Sequence, residues 1–184
     1  MKIDKAVCLC LDKRESEWRQ LIEDGKKVGL DIQPFICGDG SSSHLQYSRI
    51  DDIDPDITYW QYGREGYKHH HYNAFKCHQQ MISEAKAEGI ENLLILEDDA
   101  YLTSRYTEVM DLITSNFHAI PKFDILYLGW WIGNEGDEFN DAVEAVWEKT
   151  HAAEIRKVQQ LGGLHGVIIN NSIYDGILSL PPIN

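Results

Sequence analysis

Short runs of apolar residues alternate along the chain with longer stretches in which apolar residues recur at helical spacing. Four of the short runs predict buried strands, at residues 6–11, 31–37, 93–96 and 123–128. The stretches between and after them predict helices, at residues 15–28, 72–88 and 104–116. Gly29 and Gly89 stand where the first two helices should end. Strands separated by such helices imply a mostly parallel sheet covered by helices on both faces, which is the α/β class.

Two other parts of the chain have a less regular pattern. Residues 41–68 show no clear period and are rich in Ser, Asp, Tyr and Gly, so we expect a long surface loop that faces the substrate. After Gly129, residues 141–160 favour a helix and residues 164–169 favour another strand. The length of 184 residues suits one substantial core, so we expect a single domain over residues 1–184.

The charge balance restricts the partners of the protein. The chain carries 17 Lys and Arg residues against 30 Asp and Glu residues, a formal net charge of −13. Such a chain repels a phosphate backbone, and the sequence offers no basic run as a local exception, so we do not expect a nucleic-acid partner. A small anion such as a nucleotide diphosphate would need a cation or a few placed basic groups to bind. The charge therefore indicates a metal-dependent site.

Hydropathy and cysteine usage indicate in which cellular compartment the protein is expected. No segment approaches the roughly 20 continuous apolar residues that span a bilayer, and an acid precedes the first apolar run, so we expect neither a membrane span nor a secretion signal. The chain has four cysteines, at Cys8, Cys10, Cys37 and Cys77. Their spacing fits neither a zinc site nor a small disulfide framework, which predicts reduced thiols and a cytoplasmic location.

Polar clusters follow the predicted strands at their carboxyl ends, where ligands bind in an open parallel sheet. These clusters are Asp12-Lys13-Arg14, Gly38-Asp39-Gly40, Glu97-Asp98-Asp99 and Gly129-Trp130-Trp131. Three carboxylates directly after an aliphatic strand repel one another unless solvent or a cation compensates them. Mg²⁺ and Mn²⁺ prefer oxygen ligands, and Glu97 and Asp99 form the expected ligand pair because both can project to one side of a turn. A solvated acidic turn or an acidic helix start is the alternative.

Other residues can complete such a cleft. His165 lies among glycines at the mouth of a predicted strand, where its imidazole can supply a nitrogen ligand to the same cation or can be a plain exposed side chain. Trp130 and Trp131 can stack on a base or a sugar ring, although most aromatic residues simply pack in a core. The glycine-rich stretch that follows brings two acids, Glu135 and Asp137, either of which can act as a general base.

These clusters, in this order, resemble glycosyltransferase family 25, which includes bacterial lipooligosaccharide galactosyltransferases and collagen galactosyltransferases. The most specific match is residues 94–99, Leu-Ile-Leu-Glu-Asp-Asp, which are close to the family's L-I-L-E-D-D signature. Three further passages are similar to family motifs: Leu11 to Arg14, Gly38 to Gly40, and Gly163 to Ile169. Cys77-His78 stands where the family usually has Ser-His, and Cys10 stands where it usually has Asn.

The resemblance implies a GT-A fold, a Rossmann-like sheet that binds a nucleotide sugar. It also implies inverting transfer of a hexose, commonly galactose from UDP-galactose, to a glycan or other hydroxyl acceptor, as in lipopolysaccharide biosynthesis. On this basis Glu97 and Asp99 hold Mn²⁺ or Mg²⁺, and His165 completes the metal's shell. The residues expected to contact the nucleotide are Asp12, Arg14, Asp39 and Asp98.

The resemblance leaves two other functions open. Family members usually continue beyond the point where this chain ends, which is compatible with a natural short form, a truncated sequence or an inactive relative. Such a form can be a non-catalytic relative that binds sugar nucleotides or carbohydrates. The same acids would also suit a metal-dependent phosphoesterase or nucleotidyltransferase.

Overall fold

The computed structural model describes residues 2–11, 14–37, 65–115, 123–131, 147–149, 156–158 and 162–181. In chain order its elements are β1 (Lys5–Leu11), α1 (Glu15–Lys27), β2 (Ile32–Cys37), α2 (Glu65–Glu88), β3 (Asn92–Glu97), α3 (Tyr106–Ser115), β4 (Ile125–Trp131), β5 (Trp147–Lys149), β6 (Arg156–Val158), β7 (Gly162–Asn170), a short 3₁₀ helix (Asn171–Ile173) and α4 (Tyr174–Leu178).

Five of the strands form one sheet in the order β2-β1-β3-β7-β4. β1 pairs in parallel with β2 and β3, so that Leu9 lies opposite Phe35 on one side and Glu97 on the other. β7 is antiparallel to both β3 and β4, and Leu96 lies opposite Gly166. Four strands therefore run in one direction and β7 runs against them. The predicted α/β class and mostly parallel sheet are confirmed, whereas the direction of β7 was not foreseen because apolar alternation carries no information about strand direction.

Alternate residues of the strands bury apolar side chains on the two faces of the sheet. One cluster, on the α1 face, joins strand residues to Trp18 and Leu21 of α1 and contains Ala6, Cys8, Cys10, Leu94, Leu96 and Ile168. The other cluster, on the α2 face, joins Met81, Ile82 and Ala85 of α2 to the strand residues Val7, Leu9, Leu11, Leu93, Ile95, Val167 and Ile169. Helices thus cover both faces of the sheet, as predicted.

The main helices lie close to their predicted positions, with one error at the start of α2. α2 begins at Glu65, so the predicted loop 41–68 is wrong for its last four residues, and 41–64 lie outside the described residues. The first turns of α2 lack the apolar periodicity by which a helix is recognised, and a helix can continue without it. Although α2 has 24 residues, no helix within the described ranges is apolar enough over a sufficient length to cross a membrane.

The helix predicted at residues 141–160 is wrong in two places. β5 and β6 form an antiparallel pair there, in which Trp147 lies opposite Val158. Each strand has only three residues, and such a short run cannot be distinguished from a helical segment by its periodicity.

The glycines that were expected to end the first two helices do so. Gly29 and Gly89 have φ angles of 75° and 72°, a left-handed conformation that favours glycine. Immediately after them the N–H groups of Leu30 and Ile90 donate to carbonyl oxygens of the preceding helices. These terminations turn the chain into β2 and β3.

The amino ends of β1 and β3 meet the carboxyl end of β7 at one edge of the sheet, which we call the lower edge. Asp4 N–H donates to the carbonyl oxygen of Asn92 at 3.1 Å, and Asn92 N–H donates to Asp4 Oδ2 at 3.0 Å. Asn170 Nδ2 donates to Asn92 Oδ1 at 3.0 Å. Beside this network, Lys5 Nζ lies 2.8 Å from a carboxylate oxygen of Glu88. Polar groups at the lower edge therefore bind one another.

The cysteines differ from one another. Cys8 and Cys10 are buried and free, and both lie on the α1 face of β1. Cys77 is disulfide-bonded, so the prediction of reduced thiols is wrong for this residue. Sequence spacing does not report which distant segments pack together, and the bond was therefore not foreseen.

Candidate metal centre

The carboxyl ends of β1 and β3 meet β7 at the opposite edge of the sheet, which we call the upper edge. Leu96 lies opposite Gly166, so the next residue of β3, Glu97, lies beside the preceding residue of β7, His165. By strand alternation both side chains fall on the face that α2 covers. The pairing of β3 with β7 therefore brings a carboxylate and an imidazole together.

Glu97, Asp99 and His165 form a compact set of potential metal ligands. His165 Nδ1 lies 3.3 Å from Glu97 Oε2 and 3.4 Å from Asp99 Oδ1. One ligand atom from each residue lies within 4.8 Å of the other two. The side chains are 30% exposed for Glu97, 42% for Asp99 and 35% for His165, so an ion can reach them from solvent. Two carboxylate oxygens and an imidazole nitrogen fit a divalent cation whose other ligands are water or substrate oxygens.

The environment of Glu97 disfavours its ionised form. Burial is the largest cause that raises the pKa of Glu97, and the charges of Asp99 and Asp98 raise this pKa further. The charge of His165 opposes these effects only in part. A cation at this position would favour the ionised carboxylate, since opposite charge stabilises it.

Asp98 differs from its two neighbours in orientation. It is only 6% exposed, and its Oδ2 accepts a hydrogen bond from the N–H of Leu11 at 3.2 Å. Its other oxygen, Oδ1, lies 3.8 Å from Arg14 Nη1. Burial raises the pKa of Asp98, whereas Arg14 and the Leu11 N–H oppose that rise. Asp98 therefore joins the end of β1 to the turn after β3.

Arg14, immediately before α1, lies beside the candidate ligands without being one of them. Its Nη1 lies 3.2 Å from Asp99 Oδ2, the oxygen that does not face His165. Its side chain is 40% exposed. A guanidinium with five N–H donors can contact carboxylates on one side and an anionic group on another.

The structure brings together the predicted site residues that it describes, namely Arg14, Glu97, Asp98, Asp99 and His165. The other predicted site residues lie outside the described residues: Asp12, Asp39, Glu135 and Asp137. The same holds for the side chains of Trp130 and Trp131. Their roles stay predictions.

The burial of Asp98 and its hydrogen bond from the Leu11 N–H were not predicted, although the expected ligand pair of Glu97 and Asp99 already implied that Asp98 points the other way. Leu94 and Leu96 pack on the α1 face, and strand alternation places Asp98 on that same side. Glu97 follows Leu93 and Ile95 on the opposite face of the sheet, which α2 covers.

His78, which the family resemblance also singles out, lies on α2 and does not belong to the ligand set. Its Nδ1 lies 2.7 Å from the carbonyl oxygen of Ala74, so Nδ1 carries the proton and donates it. Nε2 is buried and has no hydrogen-bond partner in the described part of the chain. Burial lowers the pKa of His78, which favours the neutral imidazole.

Comparison with known proteins does not establish the function of this chain. No family model and no curated protein matches the sequence. A similar solved structure is "crystal structure of a glycosyltransferase involved in the glycosylation of the major capsid of PBCV-1", with 13% identity and a TM-score of 0.42. The match covers 94% of this chain, which spans 63% of that protein's chain. At this identity and TM-score the likeness carries no weight for function, and membership of glycosyltransferase family 25 stays a prediction.

Proposed function

We propose that the protein is a metal-dependent glycosyltransferase that moves a hexose from a UDP-sugar to a hydroxyl acceptor. The observation that supports this function is the convergence of Glu97, Asp99 and His165, with Arg14 beside Asp99, at the edge where parallel strands end. Family resemblance supports galactose as the hexose, a glycan as the acceptor and inversion at the anomeric carbon.

The ligand set suits Mn²⁺ or Mg²⁺. Glu97 and Asp99 would hold the ion through oxygen, and His165 would hold it through nitrogen. Of these two ions the nitrogen ligand favours Mn²⁺, because Mg²⁺ is the harder cation and prefers oxygen ligands. A divalent cation bound there supplies positive charge that stabilises a departing diphosphate.

Charge explains why the donor would need the cation. With its three carboxylates ionised and His165 neutral, as a metal-ligating imidazole is, the 97–99 turn carries −3, and Arg14 reduces this charge to −2. A nucleotide diphosphate would be repelled by that charge. One divalent cation brings the sum to zero and leaves Arg14 as a hydrogen-bond donor to a phosphate oxygen.

The remaining steps fall to residues outside the described part of the chain. We propose that Asp12 and Asp39 contact the nucleotide, and that Glu135 or Asp137 takes the proton of the acceptor hydroxyl. The hydroxyl oxygen then forms a bond to C1 of the hexose while the bond from C1 to the diphosphate oxygen breaks. UDP leaves, and the glycosidic product has the opposite anomeric configuration.

Product identification tests this function. We expect the protein with Mn²⁺, a UDP-hexose and a panel of hydroxyl acceptors to release UDP and form an inverted glycoside. Activity should be lost in EDTA and in Asp99→Asn, but not in Asp175→Asn, whose carboxylate is exposed and pairs with Lys86 far from the centre.

The same assay separates the other functions. UDP binding without hydrolysis or transfer would indicate a non-catalytic binding protein. Release of phosphate or pyrophosphate would indicate a phosphoesterase or nucleotidyltransferase. If UDP does not bind in the presence of Mn²⁺, the proposed donor is wrong.

A further inference from the structure

We propose that Asp98 is a positioning residue, which holds the Arg14 guanidinium beside the bound donor phosphate and is itself a ligand of neither the cation nor the nucleotide. This inference rests on the proposed function, because it concerns the same site. It gives Asp98 a role different from that of Glu97 and Asp99, and different from the nucleotide contact that the family resemblance implies for it.

The first observation is that one oxygen of Asp98 already accepts a hydrogen bond from the protein backbone. Oδ2 accepts the N–H of Leu11 at 3.2 Å, and the residue is only 6% exposed. Glu97 and Asp99 are 30% and 42% exposed and face His165. A solvent cation therefore meets Glu97 and Asp99, while Asp98 faces inward towards β1.

The second observation is that the other oxygen of Asp98 faces the positively charged guanidinium of Arg14. Oδ1 lies 3.8 Å from Arg14 Nη1, and the same Nη1 lies 3.2 Å from Asp99 Oδ2. Arg14 thus lies between two carboxylates, one fixed to the backbone of β1 and one that belongs to the candidate ligand set.

Metal binding would affect the two contacts of Arg14 differently. A divalent cation on Asp99 takes up much of that carboxylate's charge, so its attraction for Arg14 weakens. Asp98 keeps its charge because it does not face the cation, and it continues to hold the guanidinium close to the centre. The N–H donors of Arg14 that do not face Asp98 can then bind a phosphate oxygen.

A pair of substitutions isolates this role. Asp98→Asn keeps a carbonyl oxygen for the Leu11 N–H but removes the charge that faces Arg14. We expect Mn²⁺ affinity to stay within about threefold of the wild type, and UDP affinity at saturating Mn²⁺ to fall about tenfold. Arg14→Gln should weaken UDP by a similar factor, and the double variant should be no weaker than Arg14→Gln alone, because both changes remove the same contact.

Calorimetry makes the test, with Mn²⁺ titrated first and UDP titrated into the Mn²⁺-saturated protein. The variants are Asp98→Asn, Arg14→Gln and their combination, with Asp99→Asn as the ligand-loss control and Asp175→Asn as the surface control. The inference is overturned if Asp98→Asn loses Mn²⁺ as Asp99→Asn does, if UDP affinity is unchanged, or if the two losses add.

Failure of the proposed function gives a different result. A wild-type protein that binds no Mn²⁺, or binds Mn²⁺ but no UDP, removes the proposed function before any variant is compared. If Asp98→Asn does not fold, Arg14→Gln alone must still weaken UDP about tenfold at unchanged Mn²⁺ affinity. Unchanged UDP affinity in that variant would overturn the inference.

Discussion

The lower and upper edges of the central sheet carry polar side chains that serve different purposes. At the lower edge Asp4, Asn92 and Asn170 join the strands through hydrogen bonds to one another and to the backbone. At the upper edge the three carboxylates of residues 97–99 lie beside the guanidinium of Arg14 and the imidazole of His165. Polar groups that satisfy one another stabilise the fold, whereas an excess of one charge is suited to a ligand of the opposite charge.

Removing a candidate ligand should give the largest effect. Glu97→Ala or Asp99→Ala is expected to lower Mn²⁺ affinity by about 100-fold or more, since even supporting groups of metal sites contribute roughly 10–100-fold. The melting temperature without metal should not fall, because each change relieves repulsion between like charges. Calorimetry and thermal unfolding measure the two quantities. An unchanged Mn²⁺ affinity in both variants would show that the upper edge is only a solvated acidic turn.

At the lower edge we expect a substitution to lower the stability of the fold and to leave Mn²⁺ affinity unchanged. Asn92→Ala removes the oxygen that accepts a hydrogen bond from the side-chain amide of Asn170, which should cost about 1–3 kcal/mol of unfolding free energy. Mn²⁺ affinity should stay at the wild-type value. Urea unfolding measures the loss, and Asn171→Ala, at an exposed neighbouring position, is the control. Equal stability of Asn92→Ala and the control would contradict the structural role of this edge.

The pH dependence of stability should differ with and without metal. Burial raises the folded-state pKa of Glu97 and Asp98, so the folded protein keeps protons that the unfolded chain has lost. The resulting stability is present below the ordinary carboxyl pKa of about 4 and is lost as pH rises through the raised pKa. Mn²⁺ binds the ionised carboxylates and should restore stability above that range.

Melting temperatures measured between about pH 4 and about pH 8 provide the check. Without metal, the loss of stability on raising the pH should be smaller in Glu97→Gln than in the wild type. Mn²⁺ affinity itself should fall as pH is lowered, because protons compete for Glu97. A wild-type protein whose Mn²⁺ affinity does not change with pH would contradict this account.

The smallest effect is expected for the ion pair beside the lower edge. Lys5 Nζ lies 2.8 Å from Glu88 Oε1, but the Glu88 side chain is half-exposed. Lys5→Met should therefore cost at most about 1 kcal/mol, and less at high salt. A double-mutant cycle with Glu88→Gln, measured by urea unfolding, gives the coupling. A coupling well above 1 kcal/mol would show that exposure does not weaken this pair as expected.

Much of the fold could be predicted from the sequence because the strands are buried and regular. The run at 93–96 lies within β3, and Gly29 and Gly89 end their helices with positive φ. The start of α2 could not be predicted, since its first turns are polar. The direction of β7 could not be predicted either, because residue alternation is the same in parallel and antiparallel strands.

The candidate site was predicted in part for the same reason. Glu97 and Asp99 follow a buried strand, so the rule that ligands bind at the carboxyl ends of strands pointed to them. His165 was predicted from its glycine neighbours at the start of a strand, and it reaches the upper edge because β7 runs antiparallel to β3. The contact between Arg14 and Asp99 depends on β1 and β3 being neighbours, which the sequence pattern does not state. The role of Asp98 depends further on the N–H of Leu11, whose position follows only from that pairing.

Electron spin-echo measurements on bound Mn²⁺ test the central claim most directly. We expect one Mn²⁺ per chain, with modulation from a coordinated imidazole nitrogen that disappears in His165→Gln and persists in His78→Gln. The absence of nitrogen modulation in the wild-type protein, or its persistence in His165→Gln, would contradict a metal centre formed by Glu97, Asp99 and His165.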